Sequence, residues 1–272
     1  MISTTLSTRK VKCNFPCVEA SLDFKNEELI EIQSFFQDWK RNSAKEYSGG
    51  RTDISLGSSE FDELFNKSRI IQKLQGMVTN LSFWRDMAEK LKVSSETHKR
   101  ISEIKKLTTE FRKDGVFERG LQFLRRSGHV RAEQLSYKIL KGSTYTIAMN
   151  VGVSYSGYQV PPHLDNRNKF LVGLIYLTGS SNQNLLVCRP KNNADIGKRC
   201  IPIEDTYVDA KILQVPGQSV FFENAEGAYH ATEAFDQKEP KIFVYVAIAE
   251  VGTESVFKEK PEYLRDFWPN AL

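Results

Sequence analysis

The spacing of hydrophobic positions divides the chain into two textures. Leu29, Ile32, Phe35, Phe36 and Trp39 recur on one face of a predicted helix over residues 24–39, with Asn26 as its N-cap before Glu27 and Glu28. YSGG at 47–50 breaks the pattern. Residues 58–93 predict two further helical pieces, SSEFDELFNKS and a longer one containing SFWRDMAEKL. Ser94, Ser95 and Glu96 start another, running through Ile101, Ile104 and Leu107 toward Phe111. Gly115 punctuates, and VFERGLQFLRRSG continues helically to Gly128. Such a stripe is core packing rather than a cofactor site. Residues 1–22 show little pattern and are expected to wrap or cap the domain.

Beyond about residue 135 the period falls to two. TYTIAMNVGV at 144–153 alternates and is rich in β-branched residues, which predicts a strand. Short strands are also expected at 169–178, 184–188, 211–215, 219–222, 228–233 and 241–248. Turn chemistry separates them: TGSS from Thr178, RPKNN from Arg189, Pro216 with Gly217, and KEP at 238–240. Strands so spaced, without intervening helices, predict an antiparallel sandwich or barrel. The expected fold is mainly β with a helical N-terminal part. A mostly helical buttress over 1–135 and a β core over 136–272 form one integrated domain, because no repeat or flexible linker separates them. The tail, 252–272, reads as a polar helix followed by Phe267, Trp268 and Pro269.

Composition alters this picture little. A chain of 272 residues can bury a sizeable core, and its formal charge of +4 is mild. Its basic runs, KKLTTEFRK at 105–113 with Arg125 and Arg126, are interrupted by Glu103, Glu110 and Glu118. They read as a solvated helix surface, so nucleic acid is not an expected partner. No apolar run approaches the ~18 residues of a membrane span, and none is expected. MISTTLSTRKVKCNF lacks the apolar region of a secretory signal, so a cytoplasmic location is expected, with Cys13, Cys17, Cys188 and Cys200 as free thiols. Cys13 and Cys17 lack the second ligand pair that structural zinc requires.

The chemistry concentrates in QVPPHLDNRNKFLVGLIYLT at 159–178. Of the four histidines, His98 in a helix start and His129 in a turn read as surface residues, whereas His163 and His230 adjoin apolar strands. Residues i and i+2 of a strand share a face, so His163 and Asp165 can hold one ion together while Leu164 packs oppositely. His230, in EGAYHATEAF, must arrive from another strand. Two imidazoles and one carboxylate make the facial triad of non-haem Fe(II) oxygenases, which leaves metal positions open. Taken alone, His-x-Asp is equally a hydrogen-bonded pair at a strand end.

Further features share this order. They are YSG at 155–157, PHLD at 162–165, LVGLIYLTG, the Pro216–Gly217 turn, strand 219–222, His230 and the basic residue opening KIFVYVAI. Over residues 144–250 this series resembles the 2-oxoglutarate- and Fe(II)-dependent dioxygenases, particularly the prolyl-hydroxylase-like branch. The resemblance implies a double-stranded β-helix core (jelly roll, cupin-like), with Fe(II) on His163, Asp165 and His230 and with 2-oxoglutarate and O2 consumed. It implies a basic residue shortly after the last histidine for the co-substrate's distal carboxylate. Lys241 opens a strand there, and Lys238, in the turn, is the second candidate. Tyr176 falls where related hydroxylases place a co-substrate tyrosine, and Tyr155 joins the co-substrate candidates.

The sequence departs from the family pattern in places. A lysine offers a point charge where arginine would offer a fork. SSNQNLLVCRP lacks the Gly-Gly often seen at that place. The polar stretch 191–209 reads as an inserted loop able to cover the site, and Arg167 and Arg189 beside it are expected to face water. The implied reaction is hydroxylation of an unactivated C–H, because Asp165 fills the position a halide would need. The substrate is first a small molecule such as an amino acid, second a peptidyl residue, third a modified nucleobase. Two other readings stay open: a cupin-like metalloenzyme that does without 2-oxoglutarate, and a non-catalytic jelly-roll binding module. The helical first half could form a homodimer interface or shape the pocket.

Overall fold

The protein is seen in a computed structural model, which describes residues 6–42, 50–104, 107, 144–166, 169–234 and 239–251. The helix expected over 115–128, the basic run 108–113 with Arg125 and Arg126, His129, Arg167, Lys238 and the 252–272 tail lie outside the described residues. Strands β1 (Ser7–Lys10), β2 (Cys17–Ser21) and β3 (Arg51–Ser55) come first. β4 (Thr144–Ser154), β5 (Val160–His163), β6 (Lys169–Tyr176), β7 (Ser180–Pro190), β8 (Thr206–Gln214), β9 (Gln218–Glu223), β10 (Tyr229–Thr232) and β11 (Lys241–Val251) follow. They form a seven-stranded sheet, β1-β2-β9-β6-β11-β4-β3, and a four-stranded sheet, β5-β10-β7-β8. Every pairing is antiparallel. Two such sheets make the antiparallel sandwich expected from the strand spacing, in the form of the jelly-roll core that the resemblance implies.

The N-terminal part contributes three strands as well as helices. Residues 7–21, expected as an unpatterned wrap, pair as β1 and β2 along the edge of the larger sheet. At the other edge β3, RTDIS, lies along β4. These strands are too short to build a periodic signal of their own.

Helices α1 (Asn26–Asn42), α2 (Ser59–Lys67), α3 (Arg69–Val78), α4 (Leu81–Leu91) and α5 (Ser95–Glu103) follow local capping chemistry. The Lys25 N–H donates to the Glu28 carboxylate at 3.0 Å, so α1 is capped one residue before Asn26. Ser68 ends α2 and accepts from the Ile71 N–H at 3.4 Å to start α3, so residues 58–93 form three helices and not two. α5 stops at Glu103 because Ile104 turns extended and buries, so it does not run on toward Phe111.

The central strand β11 divides the core. Its odd-numbered Phe243, Tyr245 and Ala247 face the four-stranded sheet and pack with Val172, Leu174 and Val187. Its even-numbered Ile242, Val244, Val246 and Ile248 face away and pack under the helices with Phe61, Ile71 and Trp84. The helices therefore cover the outer face of the larger sheet. Gly152 sits opposite Phe243 in the β4–β11 ladder, and a Cβ there would lie 2.5 Å from the Phe243 ring. Gly152→Ala is expected to destabilise the protein by about 1–3 kcal/mol through overpacking. A lower urea midpoint with an unchanged m-value would show it.

Candidate active site

The metal-ligating candidates meet because of strand register. β5 and β10 run antiparallel with His163 directly opposite His230, and their rings lie 4.2 Å apart, centroid to centroid. Asp165 follows β5 by two residues, and its Oδ2 lies 3.9 Å from His230 Nε2. One ligand atom from each of the three falls within 4.8 Å of the other two.

The surroundings set the chemical state of these groups. The His163 Nδ1 lies 3.0 Å from the Pro161 carbonyl and the His230 Nδ1 lies 3.4 Å from the Ala228 carbonyl. A carbonyl only accepts, so each Nδ1 carries the proton and each Nε2 presents a lone pair. Burial, with the neighbouring His230, holds the His163 imidazole down to about 3, and burial likewise lowers His230. Burial alone would raise Asp165, but the charge of Lys169, followed by those of His230, His163 and Arg199, holds it down to about 2. Two neutral imidazoles and an ionised carboxylate are the donor set a divalent transition metal requires. Asp165 Oδ2 is buried and accepts no hydrogen bond, an orphaned oxygen that a metal would satisfy.

A cavity of about 270 Å³ runs from this triad between the two sheets. Lys241 lines its far side and is 2% exposed. The Lys241 Nζ donates to Gln214 Oε1 at 2.6 Å. An ammonium can only donate, so this bond fixes the amide and leaves the buried Gln214 Nε2 as a donor without an acceptor. Tyr176, kept protonated by burial, lies beside Gln214. Lysine, amide and phenol make a region rich in donors and poor in acceptors, suited to a carboxylate. Leu174, Leu185 and Phe243 supply apolar wall between the two polar ends.

The structure thus brings His163, Asp165, His230, Lys241 and Tyr176 to one cavity. Tyr155 does not line it. Tyr155 follows the inward Ser154 and so faces the other side, where it packs on the cluster beneath the helices. Its backbone closes a turn with Gly50 and Tyr158 that delivers Tyr158 to the cavity instead. Arg189 pairs with Asp209 at 2.8 Å and stacks on Tyr207 at the surface, half exposed.

The expected loop 191–209 is shorter, since β8 begins at Thr206. Two 3-10 turns occupy it, and residues 199–201 run beside β5 through Leu164 N–H to the Arg199 carbonyl and Ile201 N–H to the Pro162 carbonyl. That places Arg199 on the cavity wall. Arg51, Tyr158, Gln214 and Arg199 are cavity residues that sequence reasoning missed. Of these, Tyr158 stands nearest the sequence motif, directly after YSG.

No family model matches the chain, and no curated protein matches it. Among solved structures it is similar to prolyl 4-hydroxylases from Phytophthora capsici, at 8% identity over 93% of this chain and 66% of that one, with a TM-score of 0.46. It is similar to a Pseudomonas putida prolyl-4-hydroxylase, at 9% identity over 87% and 93%, with a TM-score of 0.37. It is also similar to the epimerase SnoN in complex with Fe3+, alpha ketoglutarate and nogalamycin RO, at 10% identity over 91% and 86%, with a TM-score of 0.44.

Lys241 gives the site a pH signature. Burial first, and then the charge of Arg51, holds its amine down to about 7. In the unfolded chain the amine stays protonated to about pH 10.4. Between roughly pH 7 and pH 10 the unfolded state binds more protons, so stability from this group rises with pH across that window. Lys241→Met is expected to stabilise the metal-free protein by an amount on the order of a few kcal/mol at pH 6. The gain should shrink steadily toward pH 10, as read by urea denaturation at several pH values.

Proposed function

We propose that this protein is an Fe(II)- and 2-oxoglutarate-dependent dioxygenase that hydroxylates an unactivated C–H of a small molecule or a peptidyl residue. The observation that carries the proposal is the pairing of two sites in one cavity. A His163–Asp165–His230 ligand set stands at one place, and the buried donors of Lys241 and Gln214 stand at another, with apolar wall between them. A cupin-like metalloenzyme without 2-oxoglutarate would need the first and has no use for the second. A non-catalytic module would need neither.

His163, Asp165 and His230 would hold the iron, which with 2-oxoglutarate and O2 supplies oxidising power that no side chain has. The chain's own residues bind and orient. Lys241 and the Gln214 Nε2 take the distal carboxylate of 2-oxoglutarate, and Tyr176 adds its hydroxyl beside them. Leu174, Leu185 and Phe243 exclude water from the space between, which strengthens every polar contact around it. The Tyr245 hydroxyl, kept protonated by burial and by the adjacent Asp165 carboxylate, can donate to that carboxylate and steady it. A cytoplasmic location goes with this reading. No helix among the described residues is long and apolar enough to cross a membrane.

Anaerobic addition of Fe(II) and then 2-oxoglutarate to the purified protein tests the proposal. The expected result is a visible metal-to-ligand charge-transfer band, absent in His163→Ala. In Lys241→Met it should require roughly tenfold or more additional 2-oxoglutarate. Iron binding without a band would favour the cupin-like reading, and no iron binding would end the metalloenzyme argument.

A further inference from the structure

The dioxygenase reading gives no role to Arg51 and Asp53, although both line the cavity. They stand two residues apart on β3, an edge strand of the larger sheet, so their side chains share its inner face. Arg51 Nε and Nη2 donate to Asp53 Oδ1 at 2.8 and 2.7 Å, and Arg51 Nη1 donates to the Tyr158 hydroxyl at 3.0 Å. The guanidinium also lies 4.7 Å from the centre of the Phe243 ring. Those bonds use three of the five N–H groups of an arginine, and Asp53 Oδ2 receives none of them. Asp53 keeps 38% of its side chain exposed against 23% for Arg51, so the carboxylate sits nearer the mouth.

An ion pair so placed adds only modest stability, because both partners keep part of their side chains in water. Its position beside the reaction cavity has chemical meaning instead. In the dioxygenase reading Asp165 is committed to the metal and Lys241 to the distal carboxylate of 2-oxoglutarate. Arg51 and Asp53 balance one another. A ligand with only a carboxylate would bring a second negative charge beside Asp53. A ligand with only an ammonium would meet the positive charge of Arg51. A group bearing both charges side by side lets each residue face an opposite charge and keeps the edge neutral.

Resting on the dioxygenase reading, we propose that Arg51 and Asp53 bind the carboxylate and the ammonium of a free α-amino acid, whose side chain extends along the cavity toward His163, Asp165 and His230. The size of the cavity agrees. About 270 Å³ lies near the lower end of ligand sites, which run from roughly 300 to 1,000 Å³, and this cavity must hold 2-oxoglutarate as well. A residue within a polypeptide carries neither charge, so this pair selects the free amino acid over the peptidyl substrate. Tyr158 positions Arg51 through its hydroxyl.

The test uses the full chain loaded anaerobically with Fe(II) and 2-oxoglutarate. The proteinogenic L-amino acids are titrated one at a time, alongside their N-acetyl derivatives, their methyl esters and peptides blocked at both ends. Perturbation of the charge-transfer band reports binding. At least one free amino acid is expected to perturb the band at roughly tenfold or more lower concentration than either of its blocked forms. Arg51→Gln and Asp53→Asn should each raise its half-saturation roughly ten- to a hundredfold. The ligand comparison on the wild-type protein needs no variant to fold. If no free amino acid perturbs the band, or the blocked forms act as strongly, the assignment is overturned and the dioxygenase reading stands. If Arg51→Gln abolishes the band itself, Arg51 belongs to the co-substrate site and the assignment is again overturned. If the wild-type protein gives no band, both readings are overturned.

Discussion

β11 is hydrogen-bonded on both sides, to β4 along its whole length and to β6 along most of it, and that double ladder decides which way the cavity side chains point. Alternation along β11 sends Lys241, Phe243 and Tyr245 inward, and Ile242, Val244, Val246 and Ile248 outward. A slip of one residue would turn Lys241 under the helices and four aliphatic side chains into the cavity. The helices prevent it by burying the outward row against Phe61, Ile71 and Trp84. The helical layer is thus part of the site's construction, although it packs on the face of the larger sheet opposite the cavity.

The same ladder carries charge into the protein. Lys241 stands opposite Ser154, and Ser154 stands opposite Arg51, so two cations share one row of the larger sheet with a buried hydroxyl between them. Burial, and then the charge of Arg51, works against the Lys241 ammonium, whereas Tyr158 and Asp53 hold the Arg51 guanidinium charged. At the other end an ionised Asp165 is kept out of water beside two neutral imidazoles. The buried Lys241 ammonium costs folding free energy while the cavity holds only protein. Ligands that bind the folded state alone would return that energy through linkage. A site of this kind trades stability for affinity, as functional sites commonly do.

Much of this was legible along the chain. The period changes near residue 135, and the strands it predicts form there, although β7 and β8 begin earlier than expected and β5 has no counterpart among them. His163 and Asp165 stand two apart after an apolar approach, and Lys241 opens an apolar strand with a charge that has no local reason to be there. The misses have physical causes. Tyr155 and Tyr158 look equally placed in YSGY, but the turn at Ser156 and Gly157, with Gly157 at a φ of 88°, sends only Tyr158 inward. Gln214 and Arg199 read as ordinary polar residues at a strand end and in a loop. Arg51 lies in a five-residue strand among helices, where a polar residue reads as solvent-facing.

By itself, then, the sequence determined the types of the longer elements, the change from helical to strand texture, and which residues along each strand share a face, because these follow from local periodicity. Which face looks inward was decided only by the tertiary structure. It depends on pairing between strands far apart in the chain: His163 with His230 across β5 and β10, and Arg51 with Lys241 across β3, β4 and β11. A polar side chain costs nothing locally whether it ends in water or in a cavity. Only the packing of two sheets, with helices closing the outer face, distinguishes the two.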